Sequence, residues 1–145
     1  MTKKKTNVQE HNVPVTPDNE NIEYYRDFIF TVKPEIEVNL SRVAYEAEIN
    51  EKFIEAINIY KVLLALKPES SDHILNIAVC YDEYSQYLSK KGIEKEAEKF
   101  EDLAYEFYKQ LECIPEKNDR ILYYLGRFFL MKENYEKAID YLKEF

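Results

Sequence analysis

The chain has 145 residues, 46% of them hydrophobic and 14% aromatic, enough to pack a core and to exclude a disordered protein over most of its length. Two glycines and five prolines argue against a hairpin-rich β protein and leave no glycine-lined nucleotide loop. A net charge of −8 argues against nonspecific binding to nucleic acid or to anionic membranes.

Residues 1–19 hold three lysines, then polar residues with Pro14 and Pro17, and have little to bury. They predict a flexible tail, with a short basic docking arm as the alternative. The basic start is not followed by an apolar stretch of signal-peptide length, and no apolar run reaches the ~18–20 residues of a membrane helix. Cys80 and Cys113 lie far apart within apolar helical patterns, so a disulfide framework is not indicated. The expected location is the cytoplasm.

Seven amphipathic segments follow in chain order. Residues 20–33 predict a leading helix with Ile22, Tyr25, Phe28 and Ile29 on its buried side. Ile36, Leu40, Val43, Ala44 and Ala47 then repeat at helical spacing, as do Phe53, Ala56, Ile57, Tyr60, Leu63 and Leu64. A further face comprises Ile74, Ile77, Ala78, Tyr81, Tyr84 and Leu88. The next is the most regular, with Ile93, Ala97, Phe100, Ala104, Phe107, Leu111 and Ile114 alternating steps of four and three, a seam suited to shallow-angle packing. Ile121, Leu122, Leu125, Phe128 and Phe129 form the sixth helix. Tyr135, Ala138, Ile139, Leu142 and Phe145 form the last.

Proline marks the junctions, because it cannot continue a helix. Pro34 and Pro68 are 34 residues apart, and Pro68 and Pro115 are 47 apart, thirteen more. A period near 34 is that of a stacking helix-turn-helix unit. The extra residues, shared between two arms, lengthen the middle hairpin by ~10 Å. Gly92 supplies the positive φ at its tip. The acidic surplus falls on this hairpin: six lysines against twelve acids over 69–118, but five against five over 119–145. The projection is either a partner-contact element or a tolerated insertion with solvated charge.

Leu125-Gly126-Arg-Phe-Phe129, followed by Asn134-Tyr135-Glu-Lys-Ala138-Ile-Asp-Tyr141-Leu142, resembles a tetratricopeptide repeat (TPR). Ala44, Ala56, Tyr60 and Pro68 fall at the intervals of an earlier unit. The resemblance covers most of residues 35–145. It implies an all-α fold of antiparallel helix hairpins stacked as a short right-handed solenoid, with units at about 35–68, 69–115 and 116–145 in a domain over 20–145. Small residues at Ala44, Ala78 and Gly126 let paired helices approach closely.

The resemblance also implies a concave groove that takes a partner's extended peptide or helix. Carried over, its lining is Ser41, Tyr45 and Glu48, then Leu75, Asn76, Val79 and Asp82, then Arg120, Tyr123, Tyr124 and Arg127. Tyr45, Asn76, Arg120, Tyr123 and Arg127 are the candidate partner-binding residues, since tyrosine and arginine dominate interface hot spots; Tyr124 is set against the core instead. Only Asn76 and Arg120 match the carboxylate clamp of some family members, so that clamp is not expected.

No catalytic, metal or cofactor site is expected. His11 and His73 are far apart, and His73 reads as an exposed first-turn residue. Pairs such as Asp82-Glu83 are ordinary on a solvated helix face. The expected function is a non-enzymatic protein-protein interaction module. A self-assembling subunit and a client-specific chaperone are the alternatives. The last helix runs to Phe145 without a polar capping helix, which leaves three alternatives: a longer protein of which this is a part, self-association through the open C-terminal end, or a partner that completes the stack.

Overall fold

The computed structural model describes residues 19–145, and among them no strand occurs. The helices are α1 (Asn19–Val32), α2 (Ile36–Ile49), α3 (Phe53–Leu66), α4 (Ser71–Lys90), α5 (Glu94–Glu112), α6 (Asp119–Met131) and α7 (Tyr135–Glu144). The all-α class expected from the sequence holds. The expected tail falls outside the described residues up to position 18. No described helix is long and apolar enough to cross a membrane.

The chain divides into two compact units between Glu37 and Val38. In α1, Tyr25 and Ile29 are half-buried, but Phe28 is exposed, contrary to its expected inward place; the Ile22 side chain lies outside the described set. The apolar stripe of this helix is therefore only partly used.

Pro34, Pro68 and Pro115 fall in breaks between helices. Where a helix must restart, a side chain caps its orphan amides. Ser70 Oγ accepts from His73 N–H at 3.2 Å, and Asn118 Oδ1 accepts from Ile121 N–H at 2.9 Å. Asn134 Oδ1 accepts from Lys137 N–H at 3.3 Å.

Three tight turns pair the helices. Glu51, Gly92 and Glu133 have φ of 62°, 80° and 62° and recur at intervals of 41 residues. After each, an amide reaches back five residues: Lys52 to Ala47 O at 2.8 Å, Ile93 to Leu88 O at 2.9 Å, and Asn134 to Phe129 O at 2.8 Å. These are Schellman-type closures. The arms of the hairpins α4–α5 and α6–α7 pack on each other, and α2 and α3 are joined by a turn of the same form. The middle arms run 20 and 19 residues, against 14 and 14 before them and 13 and 10 after.

Position relative to the turn explains where small residues sit. Seven residues before each turn stand Ala44, Ser85 and Gly126; five after stand Ala56, Ala97 and Ala138, and all six are buried. At Ser85 the hydroxyl donates to Ala97 O at 2.7 Å, so the arms nearly touch. A Cβ on Gly126 would stand 2.5 Å from Leu142 Cγ, so glycine is what lets α6 lie against α7. Ala78 and Ala104, both buried, lie one heptad nearer the base of the long hairpin. The longer arms therefore carry one further small-residue layer, seven residues along each arm from the first.

In the larger unit α4 packs against α3, α5 and α6, while α6 packs against α5 and α7. Aromatic rings fill these seams. Phe53 of α3 sits 5.5 Å from Tyr84 and Tyr87 of α4. Tyr108 of α5 stacks on Phe128 of α6 at 4.4 Å, each such pair contributing about 1 kcal/mol beyond area burial. His73 is buried, not exposed as expected. Val43, expected inside, is partly exposed.

Candidate functional site on the first helices of the hairpins

Helices α2, α4 and α6 each precede one of the three turns, and side chains of α4 and α6 meet. Asn76 of α4 accepts from Arg120 Nη2 of α6 at 2.7 Å. That bond orients the guanidinium, which also lies 5.9 Å above the Tyr124 ring. Tyr123 is exposed, packs edge-on against Tyr124 at 5.2 Å, and touches Phe145 at 5.5 Å. Asn76, Arg120 and Tyr123 are thus brought into one cluster around Tyr124, which is half-buried.

Tyr45 is exposed on α2, one helical turn before Glu48. Arg127 is half-buried, and its charge favours the ionised forms of Asp82 and Glu83. Leu75 and Val79 do not line an open face as expected. They are buried, because α4 is enclosed by α3, α5 and α6.

A second cluster was not anticipated by pattern. Asp82 and Glu83 were expected to be solvated, but both are half-buried. Burial first, then the hydrogen bond and charge of Glu48, push the Glu83 carboxyl up to about 8. Glu83 therefore holds its proton more tightly than an ordinary glutamate does. Glu48 Oε1 also accepts from Tyr60 Oη at 3.0 Å, tying α2, α3 and α4 together. Burial raises Asp82 as well, against the hydrogen bond from Gln86 and the charge of Arg127.

Beside this pair lies a cleft of about 310 Å³, walled by Glu48, Ile49, Glu51 and Phe53 on one side and Glu83, Gln86, Tyr87 and Lys90 on the other. Its lining sets three glutamates and Lys90 around the rings of Phe53 and Tyr87. Glu48 and Glu83 are 35 residues apart and come together only through the tertiary fold. The sequence signal was the recurrence of acids 34 residues apart, at Glu48 and Asp82. Among the described residues no His, Cys, Asp and Glu group is placed to hold a metal ion. Compared with known proteins, the chain matches no family model, no curated protein and no solved structure.

Proposed function

We propose that this chain is a non-enzymatic protein-binding module that takes an extended segment or helix of a partner along the face shared by α2, α4 and α6. The tetratricopeptide-like pattern supports that reading, as do the three matching turns. The observation that carries it is the mixture on these helices: exposed Tyr45 and Tyr123, and Arg120 held by Asn76.

Tyrosine offers broad contact at low entropic cost, and a guanidinium already fixed by Asn76 loses little freedom on gripping a partner carbonyl or carboxylate. The Glu48 and Glu51 carboxylates on the rim favour a lysine or arginine on the partner, and the chain's negative charge speeds encounter with such a segment. A free, exposed Cys113 suits a reducing cytoplasm.

The test is selection from a random peptide library followed by NMR mapping. Peptides with a basic residue beside aliphatic ones should emerge and shift the resonances of Tyr45, Asn76, Arg120 and Tyr123. Replacing Tyr45 and Arg120 together with alanine should weaken the best peptide ~10-fold or more. A loss below about threefold with the fold intact, or shifts confined to another face, overturns the reading.

A further inference from the structure

The second helices of the first and third hairpins can be compared position by position, because their turns are 82 residues apart. In α3, Phe53, Ile57, Tyr60 and Leu63 form the stripe against α4 and are 7%, 2%, 3% and 0% exposed. At the same positions of α7 stand Tyr135, Ile139, Leu142 and Phe145, which are 57%, 56%, 37% and 58% exposed. The chemistry of a covered stripe is kept where, among the described residues, no further helix lies over it.

The opposite end of the stack is built differently. The face by which α4 and α6 seat on the preceding hairpin includes Cys80, whose thiol meets Phe53 O, and Phe128, stacked on Tyr108. The matching residues of α2 are Asn39, Arg42 and Glu46, all exposed, with Arg42 and Glu46 ion-paired at 3.2 Å. One end is polar and the other apolar, so a second copy stacked head-to-tail would bury the apolar stripe of α7 against charge.

We infer that a second copy of this chain covers the stripe by laying its own α7 antiparallel across the first, about a two-fold axis. Such a contact is self-complementary and closes at two chains. The charges beside the stripe support it. Glu136 and Lys143 lie seven residues apart, so antiparallel pairing sets Glu136 of each copy near Lys143 of the other. Tyr123, against Phe145, continues the apolar surface onto α6.

Sedimentation of the full chain over a concentration series tests this. The wild type should pass from monomer to dimer and stop there. Ile139→Asp, at an exposed position and so neutral to the fold, should raise the dimer dissociation constant at least ~30-fold. Glu136→Lys alone should weaken the dimer, and Glu136→Lys with Lys143→Glu should restore it. A monomer at every concentration, growth beyond two, a dimer indifferent to Ile139→Asp, or failure of the charge swap to restore association each overturns the two-fold pairing.

Discussion

Gly126 gives the sharpest energetic test of how closely α6 and α7 lie. Its replacement by alanine in a helix interior should stabilise by about 1 kcal/mol from helix propensity alone. Against that, the new Cβ would stand 2.5 Å from Leu142 Cγ, 2.6 Å from Cδ2 and 3.4 Å from Cδ1, where carbon pairs prefer ~3.5–4.0 Å. Leu142 must move by about 1 Å, and overpacking of this kind costs ~1–3 kcal/mol. Because Leu142 is partly exposed it can swing outward, which sets the cost near ~2 kcal/mol and the net effect at about 1 kcal/mol of destabilisation. All three nearest atoms belong to Leu142, so trimming that residue removes the obstacle. In a Leu142→Ala background, Gly126→Ala should therefore stabilise by about 1 kcal/mol, a coupling of ~2 kcal/mol. Urea unfolding followed by far-UV circular dichroism, at one protein concentration throughout, measures all four corners of the cycle. If Gly126→Ala has the same sign in both backgrounds, Leu142 is not what demands the glycine.

Two further outcomes follow from the site and the turns. Folded Glu83 binds its proton up to about pH 8 while its unfolded counterpart releases it near 4.5, so between those values the folded state holds more protons and stability falls as pH rises. Chemical denaturation from pH 5 to pH 9 should show that decline, and Glu83→Gln should flatten it; an unchanged slope in the variant would place the titration elsewhere. At Glu133, φ of 62° strains a side chain. Left-handed strain of ~1–2 kcal/mol, less ~0.4–1 kcal/mol for the looser unfolded chain, predicts that Glu133→Gly stabilises by about 0.5–1 kcal/mol in thermal unfolding.

The helices were legible because their apolar residues recur at three and four and prolines stand in the gaps. Proline spacing also revealed the longer middle hairpin. It did not reveal the further small-residue layer, seven residues along each arm from the first, which is visible once Glu51, Gly92 and Glu133 are known to be equivalent. Two of those three turns carry glutamate, a residue with no turn signature, and the hydrogen bonds of the closure override its preference. The site was read less completely. Asn76 and Arg120 share a helix face in pattern and prove to be bonded. Leu75 and Val79 share the same pattern, yet their burial depends on which neighbours enclose α4, and periodicity within one helix does not record that. The Glu48–Glu83 pair arises from the tertiary fold and has no local signature.

The long central hairpin bears on the order in which the molecule assembles. Its arms are contiguous, linked through a three-residue connection, and zip along two small-residue layers, so little chain entropy is lost before contacts form. It alone has a hairpin packed on either side. Nucleation there lets the flanking pairs condense independently, and either can detach without unravelling the other. The centre thereby becomes the last part of the larger unit to surrender its amide protons to solvent.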